Sequence, residues 1–147
     1  MSKKKELLPI SLLDQLQSPG AGYDILRYIA LPELFGDEKD SLLYFMGKKL
    51  ARKFSISNME ELATFFTSMG WGSLEFIKEK RKGFVFYLLA DAVVQRIRAK
   101  VDTDFYLEAG FLAETLEIMQ EKVCECRFEV NTKIHQVEFH VHYTEPI

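Results

Sequence analysis

The stretch Val123–Tyr143 reads VCECRFEVNTKIHQVEFHVHY and holds both cysteines and all three histidines of the chain. It is either a metal site or a pair of strands. Side chains alternate along a strand. Over 122–130, Cys124, Cys126, Phe128 and Val130 share one face, and Glu125, Arg127 and Glu129 share the other. Over 134–143, His135, Val137, Phe139, Val141 and Tyr143 share a face; Gln136, Glu138, His140 and His142 lie opposite. Paired strands must match apolar faces if one side is to be buried. The cysteines then lie with Val137, Phe139 and Val141, and His140 and His142 lie across the sheet beside the charged residues. One tetrahedral ion bound by both cysteines and both histidines would need a register slip that buries charge. Only His135 shares the cysteine face, at the turn end. A C-x-C pair is a weak zinc signal. The hairpin is therefore read as structural, with the cysteines as small buried hydrophobes. The alternative keeps Cys124, Cys126 and His135 as the centre of a metal-dependent sensor or enzyme.

Working outward, 147 residues predict a single domain over 1–147, with 1–8 a flexible tail. The chain is 48% hydrophobic and 13% aromatic, which places it among globular rather than disordered sequences. Its 19 basic and 22 acidic residues argue against a generic nucleic-acid binder. Cysteines two apart on one strand face seldom bridge, so a reduced, cytoplasmic setting is expected. The basic start Lys3–Lys5 is followed at once by Glu6, and Pro9 and Ser11 break the apolar stretch, unlike a targeting signal. No run of about 18 apolar residues predicts a transmembrane span.

Ile10, Leu13 and Leu16 recur at helical spacing and predict a short helix over 10–17. A second helix is expected over 23–30, with Pro32 limiting it. Over 38–54 a stripe of Leu43, Met46, Gly47, Leu50 and Phe54 predicts a third, with Lys48, Lys49, Arg52 and Lys53 on a solvated face. Asn58 three residues before Glu61 resembles a capping box. The helix it opens carries Leu62, Phe65, Phe66 and Met69 inward, and Gly70-Trp71-Gly72 ends it. Residues 74–78 and 84–89 predict a hairpin with a basic loop. Residues 91–98 are read as a short helix.

The last helix, over 104–120, shows two apolar stripes on a helical wheel. Phe105, Leu112, Leu116 and Met119 form the wide one, flanked by Ala109 and Ala113. Leu107, Phe111 and Ile118 form the narrow one. Glu108 and Thr115 lie between them, and Glu114, Glu117 and Glu121 on the wet side. Such a helix must be covered twice, once by the sheet and once by another helix or a second subunit. Leu107, Phe111 and Ile118 are therefore interface candidates. Glu108, between apolar stripes, needs a base, and Arg96 and Arg98 are the nearest in sequence. The chain has no phosphate-binding glycine loop, G-x-S-x-G or H-E-x-x-H, so no catalytic residue is assigned.

Leu107-Glu108-Ala109-Gly110-Phe111-Leu112-Ala113-Glu114 followed by two terminal strands resembles the superfamily of vinyl-reductase-type domains, TRAPP transport-complex subunits and haem nitric-oxide-binding domains. With Gly22-Tyr23-Asp24-Ile25-Leu26-Arg27 and Phe66-Thr67-Ser68-Met69-Gly70-Trp71-Gly72, the whole chain is similar to the uncharacterised YslB-like family of Gram-positive bacteria. The resemblance implies an α+β fold, a helical N-terminal half packed on an antiparallel sheet of two hairpins with a long helix between them. It also implies a dimer with an apolar pocket. The superfamily's functional residues do not carry over. No predicted helix holds a histidine for haem, and the first 123 residues hold no cysteine for acylation. Gly110, between Ala109 and Ala113, does carry over as a point of close backbone approach.

The function expected from this sequence is a non-enzymatic binding module, a homodimer taking an apolar small molecule or a protein partner and needing no cofactor. Glu108, Phe111, Trp71 and Phe66 are its expected ligand-binding residues.

Overall fold

A computed structural model describes residues 7–16, 20–89 and 103–144. The segments 1–6 and 91–98, with Arg96 and Arg98, lie outside the described residues. Leu8, within the expected tail, donates its N–H to the Lys53 carbonyl at 2.7 Å.

The chain opens with a 3₁₀ turn at Ile10–Gln15, shorter than the helix expected there. The first helix, α1, is composite. An α segment at Gly22–Ile25 runs into a π turn at Leu26–Ala30 and a further α segment at Leu31–Phe35. The expected stop at Pro32 does not occur. In the π turn the Leu31 N–H donates to Leu26, five residues back. This wider turn relieves the clash between a proline ring and the carbonyl four residues before it. After a 3₁₀ turn at Gly36–Glu38 come α2 (Lys39–Ala51) and α3 (Met59–Ser68).

The start of α3 follows the expected box. Asn58 Oδ1 accepts from the Glu61 N–H at 2.8 Å, although Glu61 reaches back to Ser57 rather than to Asn58. Its end is a Schellman turn: the Trp71 N–H donates to the Phe66 carbonyl, the Gly70 N–H to Thr67, and Gly70 sits at φ +75°.

Strands β1 (Ser73–Lys80) and β2 (Gly83–Leu89) form one hairpin, and β3 (Cys124–Asn131) and β4 (Gln136–Tyr143) the other, with α4 (Tyr106–Gln120) between them. The fold is α+β. Its antiparallel sheet has the order β1-β2-β4-β3, so β2 and β4 join the hairpins and β3 is an edge. Cys126 pairs with Val141, Phe128 with Phe139 and Arg127 with His140, the register expected from the alternation. Among the described residues no helix is long and apolar enough to cross a membrane.

The core lies between α4, α3 and the sheet. Phe111 stacks on Phe65 with centroids 4.5 Å apart and meets Trp71 edge-on at 5.5 Å; Phe66 meets Trp71 at 5.0 Å. All four rings are buried. Phe111, an interface candidate, is buried among these rings within the chain. Leu107 is half-buried, and Ile118 is 52% exposed.

The second cover of α4 is α2. The two helices cross at Gly47 and Gly110. A Cβ on Gly110 would lie 1.9 Å from the Tyr44 carbonyl oxygen, and one on Gly47 would lie 2.1 Å from that of Leu107. The close approach expected of Gly110 is present, with a matching glycine on the partner helix. Two stripe assignments change. Met46 is 42% exposed, because the crossing centres α2 on Leu43, Gly47 and Ala51. Glu114 is buried rather than wet, because Arg52 of α2 reaches over it, Nε to Oε2 at 2.8 Å.

Gly110→Ala should destabilise the protein by about 1–3 kcal/mol or more, since the added methyl meets backbone that cannot swing aside. Denaturant unfolding measures the cost, and a variant as stable as the parent would mean the helices cross further apart.

Candidate functional site

The chemistry-bearing residues gather in three places. The first is a buried ion cluster joining α1 to the start of α4. Arg27, in the π turn, is 2% exposed. It grips Glu108 with both terminal nitrogens, Nη2–Oε1 at 2.9 Å and Nη1–Oε2 at 3.2 Å. Nη2 also reaches Asp104 Oδ1 at 3.2 Å, and Nη1 donates to the Tyr23 hydroxyl at 3.0 Å. Lys39 Nζ closes on the other oxygen of Asp104 at 3.3 Å. Burial alone would loosen the Arg27 proton, but the Glu108 carboxylate beside it outweighs that and raises its pKa. Glu108 thus has a base from 81 residues upstream. The Gly22–Arg27 and Leu107–Glu114 stretches are joined directly by this contact.

The second place is the cysteine face. Cys124 is fully buried and Cys126 is 8% exposed. Burial, then Glu117 and Glu125, push the Cys124 thiol up to about 11; burial pushes Cys126 higher still. Neither supplies a thiolate near neutral pH. His135 stands in the β3–β4 turn at φ +52°. Asn131 lies five positions along the strand from Cys126, about 17 Å at about 3.3 Å per residue. The structure therefore does not bring Cys124, Cys126 and His135 together. Among the described residues no group of three or more His, Cys, Asp or Glu side chains could hold a metal ion.

The third place was not anticipated. A groove of about 440 Å³ runs between α2 and the edge strand β3, with Tyr106 of α4 at its end. From α2 come Asp40, Ser41 and Tyr44; from β3 come Glu125, Cys126, Arg127 and Phe128. An edge strand leaves outward N–H groups without sheet partners. Here α2 and α4 supply two. The Tyr44 hydroxyl accepts the Cys126 N–H at 2.9 Å, and Glu117 Oε1 accepts that of Cys124 at 3.1 Å. Tyr44 donates in turn to Glu125 Oε1 at 3.1 Å, and Lys48 closes on the same oxygen. Burial raises the Tyr44 pKa, so the hydroxyl keeps the proton it donates. Tyr106 stands edge-on to Phe128 at 4.9 Å. The signal in the sequence was Asp40, Tyr44 and Lys48, spaced four apart on one face of α2; it does not reveal that this face meets β3.

The expected ligand-binding set is divided. Phe66, Trp71 and Phe111 are in the aromatic core, and Glu108 is in the ion cluster; none lines the groove.

The arrangement, four antiparallel strands with helices crossing over a long helix between hairpins, is a vinyl-4-reductase-like fold. A vinyl-4-reductase family protein from Methanocaldococcus jannaschii superposes with a TM-score of 0.67 at 20% identity, covering 92% of this chain and 88% of that one. The chain belongs to the family described as Protein of unknown function (DUF2507), matched over residues 20–142. It is 32% identical over 135 residues to uncharacterized protein YslB of Bacillus subtilis (strain 168), covering 92% of this chain and 91% of that protein. It is 28% identical over 103 residues to uncharacterized protein MJ1642 of Methanocaldococcus jannaschii, covering 69% of this chain and 62% of that one.

Two outcomes follow from the site geometry. Arg27→Met should cost about 3–5 kcal/mol by leaving Glu108 buried without its cation; thermal and denaturant melts measure it, and a loss below about 1 kcal/mol would mean the cluster is hydrated. Separately, Cys124 and Cys126 should label slowly with a maleimide in native protein and quickly in denaturant, as mass spectrometry would report. Rapid native labelling of both would contradict their burial.

Proposed function

We propose that the protein is a non-enzymatic binding module that works as a homodimer and takes an apolar small molecule in the groove between α2 and β3. The observation that carries this reading is the groove itself. Its volume falls within the roughly 300–1,000 Å³ of small-ligand sites. Tyr44, Tyr106 and Phe128 offer apolar surface, while Asp40, Ser41 and Arg127 can orient a polar end. Protonated thiols favour binding over nucleophilic chemistry at the Cys126 wall. We assign the ligand site here rather than at Phe111, Trp71 and Phe66, whose rings fill their space with one another, or at Glu108, which Arg27 holds. The fold match supports a binding-type module at this coarse level.

The dimer rests on a different surface. Leu42, Phe45 and Met46 occupy adjacent turns of α2 and are 39–50% exposed. Ile25, Leu26 and Ile29 add half-exposed apolar area on α1. Apolar surface of this extent supports a protein contact, here with a second copy. Leu107 and Ile118 of the narrow α4 stripe are kept as possible contributors to that contact.

Native mass spectrometry of protein taken directly from its host should show a bound small molecule, lost in Ser41→Trp, which fills the groove. Sedimentation should show a dimer whose Phe45→Glu variant dissociates at least about tenfold more readily. A folded parent with no bound mass would remove the ligand half of the reading, and a parent that sediments as a monomer would remove the dimer.

A further inference from the structure

The face of the sheet turned away from α4 holds a second hollow, of about 350 Å³, with Val85 as its floor. Its position follows from the register. Lys80 of β1 pairs with Gly83 of β2, Gly83 with His142 of β4, and His142 with Glu125 of β3. The next row reads Lys78, Val85, His140 and Arg127. The two rows lie two residues apart on every strand, so their side chains share this face. In each row β2 contributes the small member, nothing at Gly83 and a short valine at Val85. The long cationic and imidazole side chains therefore surround a depression. Lys82 adds a further cation from the β1–β2 turn.

The charge balance here departs from that of the chain. Acidic residues outnumber basic ones 22 to 19 overall. Yet the hollow is lined by Lys80, Lys82, Arg127, His140 and His142, and no carboxylate is among the described residues lining it. Of the neighbouring carboxylates, one is engaged elsewhere and two pair with side chains of the hollow itself. Glu125, opposite His142, is held by Tyr44 and Lys48. Glu138 pairs with His140, Nε2–Oε1 at 2.7 Å, and Glu129 with Arg127 at 3.1 Å. Lys80, Lys82 and His142 have no ion-pair partner among the described residues.

We propose that this hollow is an anion site that takes the phosphate group of a ligand. Several donors converge on one concavity, and its lysines, Lys80 and Lys82, lack an ion-pair partner among the described residues. A multiply charged oxyanion neutralises them and accepts from the donors around it. The site lies across the sheet edge from the α2–β3 groove, and the two linings share Arg127 alone.

The test is an NMR titration of the full chain with inorganic pyrophosphate at low salt. Shifts should concentrate at Gly83, Val85, His140 and His142. The Lys80→Ala, Lys82→Ala double variant should bind at least about tenfold more weakly, since each lost phosphate contact also lowers the salt dependence. Lys53→Ala, away from the hollow, should bind like the parent. His140→Gln, His142→Gln, which changes two side chains of the lining, should also bind pyrophosphate more weakly than the parent. Both double variants change exposed or half-exposed side chains, and a melt confirms that they fold. Phosphatidylcholine vesicles with and without phosphatidic acid identify the phosphate's source. Binding to the acidic vesicles, reversed by pyrophosphate, assigns a lipid headgroup; binding to pyrophosphate alone assigns a soluble ligand. No shift at these residues, or an equal loss of affinity in Lys53→Ala, would overturn the proposal.

Discussion

The crossing of α2 over α4 at Gly47 and Gly110 is the contact on which the other features depend. With no Cβ on either helix at the crossing, each backbone carbonyl comes to where a methyl would otherwise sit. Tight crossing brings α2 low enough over the sheet edge for the Tyr44 hydroxyl to reach the Cys126 N–H. It lets Arg52 cover Glu114 and Lys48 meet Glu125. A wider crossing would leave the edge strand without these donors and acceptors and would open the aromatic core around Phe111. The groove beside β3 is what remains where α2 runs past the strand beyond Tyr44.

The Arg27 cluster acts on this crossing from its open end. A buried ion pair gains little net stability over a well-packed apolar replacement, and its clearer effect is on geometry. Arg27 must sit where two carboxylates are already placed, Asp104 just before α4 and Glu108 in its first turn. That requirement fixes where α1 lies against α4, and Lys39 ties the start of α2 to Asp104. The π turn serves the same end, since it carries Arg27 and lets the helix pass through Pro32. Ions hold one end of the helical layer, and glycine contacts and packed rings hold the middle.

The sheet divides the functional surface in two. On one side Cys124, Cys126 and Phe128 belong to the core, and the groove along β3 is aromatic. On the other side the same strands present His140, His142, Arg127 and the lysines. Strand alternation separates these chemistries within one hairpin, so an apolar site and a cationic hollow can lie either side of a single edge.

Both hairpins, and the face of each residue within the C-terminal one, were legible in the sequence, because alternation has a period of two and a slip of one residue would bury charge. The Asn58 cap, the Gly70 turn and the small-residue face at Gly110 were legible for the same kind of local reason. The base for Glu108, the burial of Glu114 and the exposure of Met46 were not, because each depends on which face of α2 or α1 arrives from far along the chain. The helix through Pro32 was not legible either, since a π turn shifts the hydrogen bonds that a proline would otherwise break. Asp40, Tyr44 and Lys48 formed a readable stripe without a readable partner. Local periodicity thus determined the elements and the sides they bury. Only the tertiary structure decided what meets what, because a groove or a buried ion pair exists only once segments some eighty residues apart are packed together.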